Sequence, residues 1–235
     1  MRDEHVQNDS LKPRSLPVLL VVLTITTGLI DAVSVLGLGR VFTANMTGNI
    51  VFLGFALAGV PGFSLSRSLT ALAAFLAGAV AGGRLGVGLD GSRHRWLFIV
   101  ALVESSLLFA AALLARGYDS ERLVPTGQLY TLIALTALAM GVRNATVRRL
   151  AVPDLTTTVL TLTLTGLGAD SWLAGGSNPR WRRRVASVAA MLGGAILGGL
   201  LVLRGGLGVP LMLTGAITLV ATAVHVAYPA AGEGS

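Results

Sequence analysis

Six blocks of this sequence, residues 17–38, 69–89, 96–115, 127–142, 185–203 and 208–228, are apolar over nearly the length that a membrane demands. A hydrocarbon core about 30 Å thick takes ~20 helical residues to cross. In lipid the backbone must satisfy its own N–H and C=O groups, so helices are the form such blocks adopt. Charged residues make up 12% of the chain and hydrophobic residues 53%, with a mean hydropathy of +0.76. Soluble domains carry about 25% charge. The expected fold is therefore an all-α polytopic membrane protein, and an ordinary water-soluble enzyme is excluded. The apolar run after the polar residues 1–15 is longer than a signal-peptide core and closes on no small-residue cleavage pattern, so it reads as a retained first helix.

The formal charge of +7 would suit a nucleic-acid binder only if the cations lined one face of a soluble domain, whereas here the arginines sit between apolar blocks. No nucleic-acid partner is expected. The chain has no cysteine, which excludes disulfides, thiolate metal sites and cysteine nucleophiles. No histidine or carboxylate cluster has metal-ligand spacing, and neither a phosphate loop nor a nucleophile elbow is present. Neither a cofactor, a resident metal nor an enzymatic activity is expected.

Two further apolar stretches, 48–60 and 155–168, are short and begin in polar, helix-starting sequence. As full spans they would make eight; as re-entrant or broken helices they leave six. Cytoplasmic loops hold the excess of Lys and Arg. Eight spans divide the eighteen cations ten against eight, while six spans with two re-entrant segments divide them thirteen against five. The six-span arrangement is favoured, with both termini cytoplasmic.

The halves also match one another. Ala73-Ala74-Phe75-Leu76-Ala77-Gly78-Ala79-Val80-Ala81-Gly82-Gly83 shares seven of eleven residues with the segment 116 positions later, Ala189 to Gly199. Gly28-Leu29-Ile30-Asp31-Ala32 aligns with Gly141-Val142-Arg143-Asn144-Ala145 at an offset of 113. Each repeat reads as helix, short segment, helix, helix. Three full spans per repeat is an odd number, so the second is expected to be inverted in the membrane relative to the first, as in many secondary transporters. The chain divides into a polar cytoplasmic N-terminus (1–15), a first membrane repeat (16–117), a second (118–229) and a tail (230–235).

Ionisable residues inside spans are costly and tend to face a partner or a water-filled path. Asp31 lies about 21 Å along the first span and Glu104 about 12 Å beyond Trp96. Both are candidates for ion coupling or for a carboxylate that ties helices together. Arg143 either snorkels to the interface or neutralises a substrate or carboxylate. Thr43, Asn45, Thr47, Gly48 and Asn49 form the densest polar cluster at a helix start, where free N–H groups and the positive dipole end suit an anionic or polar ligand. A self-contained capping motif is the other reading. Asn144, in the segment that matches Gly28 to Ala32, is a further candidate for binding substrate, and the counterpart of the cluster in the second repeat is Asp154 with Thr156, Thr157 and Thr158. The run continues through Thr161, Thr163 and Thr165, whose alternation with leucine also has the period of a strand. The Gly78/Gly82 and Gly194/Gly198 faces are expected to pack the two matching helices against each other, with homodimerisation as their rival use.

The strings Gly28 to Ala32, Val41-Phe42-Thr43-Ala44-Asn45-Met46-Thr47-Gly48-Asn49, Gly141 to Ala145 and the Thr156 to Thr158 run resemble the YoaK-like family of bacterial multi-pass inner-membrane proteins. The resemblance implies a fold and a location, the bacterial cytoplasmic membrane, and no particular substrate. Three functions remain: a secondary transporter of a small polar or anionic molecule or ion, with a central site between the two half-helices; a passive pore; or a non-transporting scaffold or assembly protein. The partners expected are the lipid bilayer, an unidentified small-molecule or ion substrate and, for the rival use of the glycine faces, a second copy.

Overall fold

The computed structural model describes residues 15–89, 91–151, 160–178 and 180–228. Among these, eight α-helices follow one another: α1 (Ser15–Gly37), α2 (Met46–Leu57), α3 (Leu65–Gly88), α4 (Arg93–Leu114), α5 (Thr126–Leu150), α6 (Leu160–Ala169), α7 (Trp181–Gly205) and α8 (Gly208–Ala227). Helices α1, α3, α4, α5, α7 and α8 are long and apolar enough to cross a membrane, while α2 and α6 are too short. Six spans and two short helices thus stand where the sequence put them. The strand alternative for residues 161–165 fails, because Thr165 Oγ1 donates to the Thr161 carbonyl at 2.8 Å, one helical turn back.

Helix α5 runs eight residues past its apolar block. Arg143 lies inside the fold rather than in a loop, and Arg148 and Arg149 fall in the last turn, where cations favour the negative end of the helix dipole. Arg143 accordingly leaves the tally of loop charge.

The tightest helix pairings are α3 with α5 and α1 with α7, followed by α4 with α8, then α4 with α5 and α1 with α8. Exchanging the halves, α1 for α5, α2 for α6, α3 for α7 and α4 for α8, leaves this set of partners unchanged. The equivalence holds at the level of residues. A Cβ on Gly28 would strike the Met191 carbonyl and the Ala195 amide, and one on Gly141 would strike Phe75 and Ala79, which lie 116 residues earlier. Gly78 faces the Leu138 carbonyl and Gly194 faces that of Ile25, 113 residues earlier. The two glycine-bearing helices therefore do not zip against each other as expected. Each instead packs on the opening helix of the opposite half, because its small-xxx-small face lets two backbones touch there. Since Gly82 meets Val142 and Gly198 meets Leu29, partners advance together along both seams, and both pairs are parallel.

Contacts at the helix ends fix the directions. At one end, Tyr118 donates to the carbonyl of Gly37 at 3.0 Å, Ser66 bonds Tyr130 at 2.6 Å, and Leu207 fills the space beside Gly37. That end gathers the finish of α1, the start of α3, the finish of α4, the start of α5 and the α7–α8 turn. At the other end, the Arg149 guanidinium stands 5.7 Å from the Trp96 ring and His94 lies 6.5 Å from His225, so the start of α4 meets the ends of α5 and α8. Helix α2 packs on α3 beside the Tyr118 end, and α6 packs on α7 beside the Trp96 end, where Arg184 pairs with Asp170 at 2.7 Å.

Helices α1, α4, α5 and α8 make the centre, with α3 and α7 as flanks. The outward residues Leu76 and Val80 on α3 and their equivalents Leu192 and Ile196 on α7 are exposed, as lipid-facing positions should be. A cluster that includes Ile30, Leu38, Leu108, Ile133, Met140 and Leu211 fills the centre toward the Tyr118 end.

Candidate functional site

Arg143 on α5 and Glu104 on α4 meet in the four-helix centre, 1% and 2% exposed. A guanidinium carries five N–H donors, and the fold answers every one. Nε donates to Glu104 Oε1 at 2.9 Å, and Nη2 donates to the same oxygen. Nη2 also reaches Thr218 Oγ1 on α8 at 2.8 Å, while Nη1 reaches the Leu23 carbonyl at 3.2 Å and Thr27 Oγ1 at 3.1 Å on α1. One residue thus joins all four central helices. Beside it, Ser105 Oγ donates to the Gly215 carbonyl at 2.9 Å and holds α4 to α8.

Arg143 addresses only one oxygen of Glu104. A cavity of about 20 Å³ lies against the pair, walled by Leu23, Val100, Ala101, Thr146, Val147 and Thr222 among others. Roughly 10–15 Å³ of such space holds one water molecule, so this is a site for a water and not, in this conformation, for a metabolite. Leu150 borders this cavity and also a wider pocket of about 370 Å³ at the Trp96 end. Apolar clusters close the pair off on both sides: Leu16, Leu19, Leu20, Leu23 and Val147 with Trp96, Leu97 and Val100 toward the Trp96 end, and the larger cluster toward the Tyr118 end.

Snorkelling of Arg143 is overturned, since its guanidinium turns inward to Glu104. Among the described residues the walls of this cavity come from α1, α4, α5 and α8, and none lies on α2 or α6, while the Thr156 to Thr158 part of the expected frame lies outside the described residues. Asp31, on α1, is 7% exposed and its Oδ1 has no hydrogen-bond partner. Its repeat equivalent is Asn144, which donates to the Met140 carbonyl at 2.8 Å. The repeat breaks its own symmetry here, because Ile30 occupies the position equivalent to Arg143.

In the Asn45 to Asn49 cluster, Asn45 caps α2 without a side-chain bond, and Thr47 is exposed. Asn49 is fully buried and clasps the Phe42 backbone from both sides: its Oδ1 accepts from the Phe42 amide at 2.9 Å and its Nδ2 donates to the Phe42 carbonyl. A Cβ at Gly48 would strike the Phe42 ring, which itself stacks on Phe52 at 5.6 Å. Thr43 is buried with an unpartnered hydroxyl. Thr156, Thr157, Thr158 and Asp154 lie outside the described residues. Sequence reasoning overlooked Thr27 and Thr218. A signal existed for the second, since Thr214, Thr218 and Thr222 are four apart on one helical face.

Six membrane-length helices around a buried ion pair define a multi-pass α-helical membrane protein. The chain belongs to the DUF1275 family, proteins of unknown function, whose model matches residues 19–224. It is 34% identical over 154 residues to the UPF0700 transmembrane protein YoaK of Bacillus subtilis strain 168, an alignment covering 65% of each chain. No solved structure matches it.

Proposed function

We propose that this protein is a secondary transporter, not an enzyme, in the bacterial cytoplasmic membrane, carrying a small polar or anionic solute or an ion, with its termini and the Trp96 end facing the cytoplasm. The observation that carries this reading is the Glu104–Arg143 pair, buried at the meeting of four helices beside a water-sized cavity. A buried ion pair holds its place poorly against well-packed apolar residues on stability alone, and ionisable groups inside membranes mark ion or substrate paths. Protonating Glu104 would release Arg143 to an anionic solute, and alternating access would let the centre open to either side in turn. Equivalent helices running in opposite directions support an inverted repeat, the architecture on which such rocking is built. Asp31 is the second candidate for a coupling proton. The half-helix polar clusters, Thr43 to Asn49 with Asn144 and Thr156 to Thr158, would then line the path outside the centre.

The test is flux into proteoliposomes under an imposed proton gradient, with solutes chosen by a thermal-shift screen, since a ligand that binds the native state raises its apparent stability. Glu104→Gln keeps volume and hydrogen-bonding atoms but cannot cycle a proton near neutral pH. It should abolish gradient-driven accumulation while leaving exchange intact. Unchanged accumulation would reduce Glu104 to a structural residue. The small central cavity favours one second reading, a non-transporting scaffold, which predicts no solute response in the screen and no flux.

A further inference from the structure

The loop between α6 and α7 displays its apolar side chains instead of folding them away. Trp172 and Leu173, on a short 3₁₀ turn (Trp172–Ala174), are 80% and 77% exposed, and Trp181 at the start of α7 is exposed as well. The turn does not hang free. Asp170 pairs with the buried Arg184 at 2.7 Å, Arg184 Nη1 donates to Asn178 Oδ1 at 3.1 Å, and the Asn178 amide returns to the Asp170 carbonyl at 2.9 Å. Gly175, at φ +81°, reverses the chain after the turn, and a Cβ on Gly176 would strike the Asp170 carbonyl. Residues 170–178 are thus braced on Arg184, with the two large apolar side chains left outside. The repeat does not require this. The equivalent α2–α3 connection has seven residues, 58–64, against eleven in 170–180, and its aromatic residue Phe63 turns back onto Phe52 and Phe55 at 5.0 and 5.2 Å. Charge beside the displayed turn is of one sign. Arg182 is exposed, with its guanidinium 5.7 Å from the Trp181 ring, and Arg183 follows it. Among the described residues of 170–183, Asp170 is the single carboxylate, and Arg184 neutralises it.

We propose that the 170–183 loop is a docking surface for anionic phospholipid in the leaflet it meets, with Trp172 and Leu173 seated at the acyl boundary and Arg182 and Arg183 on the headgroups. Position commits the surface to lipid: α7 is a membrane-length helix that starts at Trp181, so a loop ending there stands at the level of the headgroups. Tryptophan, apolar in its ring and polar at its N–H, is the residue this boundary favours. Adjacent arginines add attraction to anionic over zwitterionic lipid. In the first repeat Ser66 stands where α7 has Arg182, at the offset of 116, and the aromatic is folded back, so the combination belongs to one face of the protein. The docking needs no transport and does not depend on the carrier reading.

The test uses the full chain carrying Trp96→Phe and Trp181→Phe, so that Trp172 is the single tryptophan, in phosphatidylcholine liposomes that contain either dibrominated phosphatidylglycerol or dibrominated phosphatidylcholine. Bromine should quench Trp172 in both, with phosphatidylglycerol favoured about fivefold in the fitted association ratio, the gain expected of one cation held at an anionic surface. High salt should erode the preference. Arg182→Gln/Arg183→Gln should remove most of it, whereas Arg204→Gln, an exposed cation at the opposite end of α7, should leave it in place. If the loss of Trp96 harms folding, an environment-sensitive label on Ala174→Cys in the otherwise native chain, which has no cysteine of its own, gives the same reading. Trp172 beyond the reach of bromine in both lipids, equal quenching by the two, or a preference indifferent to the double variant would each overturn the proposal. So would emission that follows protein density and not lipid, the mark of a second copy on this surface.

Discussion

Arg143 shows why a single polar side chain in lipid is either answered completely or not tolerated. Its five donors meet acceptors on α1, α4 and α8, so removing one partner strands the others. Breaking a buried pair from one side costs about 3–5 kcal/mol, whereas replacing both partners by apolar groups of similar volume is often nearly neutral. Arg143→Met alone should therefore lower the thermal unfolding midpoint sharply in detergent, and Glu104→Met/Arg143→Met should recover most of the loss while abolishing any flux. A double variant as unstable as the sum of the singles would mean that the pair is not coupled. Tyr118 offers a check by pH, outside the spans. Burial pushes its phenol up from 10.0 to about 12, Arg67 opposes the shift, and Asp119 adds to it. The fold holds the neutral phenol, which donates to Gly37. Its contribution should be intact below about pH 10 and lost as pH rises toward 12. A tyrosinate absorbance titration against Tyr118→Phe should show one late-titrating group missing from the variant, and that variant should lack the corresponding alkaline loss of stability.

Between helices the glycines do what apolar attraction cannot, because lipid tails are as apolar as the side chains. Gly78 and Gly194 stand against backbone carbonyls of α5 and α1, while at Gly83 and Gly193, on the same helices, an added Cβ would meet nothing within 4 Å. Alanine at position 78 or 194 should destabilise by roughly 1–3 kcal/mol through overpacking, and by similar amounts at the two sites. Alanine at 83 or 193 should be neutral or slightly stabilising, since it removes a helix penalty of up to ~1 kcal/mol. Unfolding midpoints of the four variants check the contrast. The same elements show how far the sequence could be read. Span number and the two short helices were legible because lipid imposes a length and an apolar surface on every span. The offset match of Ala73–Gly83 with Ala189–Gly199 was visible as composition. Which helix each glycine face would choose was not, because a small-xxx-small pattern names a surface and not a partner. Arg143 was misplaced among loop charges for the same reason: its sequence neighbours Arg148 and Arg149 are terminal cations, and its real neighbour Glu104 is 39 residues away. Asn49 and its neighbours announced polarity at a helix start, but the sequence could not tell that Phe42 would absorb Asn49's bonds.

For the whole molecule, the internal equivalence has a consequence for topology that differs between a repeat laid down twice in one orientation and a repeat turned over in the membrane. The α2–α3 and α6–α7 loops are equivalent, with Pro61 corresponding to Ser177 at the offset of 116 that relates α3 to α7. The α3–α4 and α7–α8 turns are equivalent in the same way. A repeat in one orientation puts each pair of loops on one face of the bilayer, and an inverted repeat puts them on opposite faces. The end contacts favour inversion, because the start of α3 lies with Tyr130 at one end, whereas α6 and the start of α7 are tied together by Arg184, Asp170 and Gly166 beside the other. The cations favour a direction, since loop arginines concentrate toward the Trp96 end, the pattern of a cytoplasmic face. The native chain has no cysteine, so single substitutions report cleanly. Pro61→Cys and Gly205→Cys, both at exposed positions, should react with a membrane-impermeant maleimide in intact cells. Gly91→Cys and Ser177→Cys, also exposed, should react only after permeabilisation. Labelling of Ser177→Cys from outside, or identical behaviour of Pro61→Cys and Ser177→Cys, would rule out the inversion and with it the alternating-access geometry, because the central pair would then have no symmetry-related pathway to the second side.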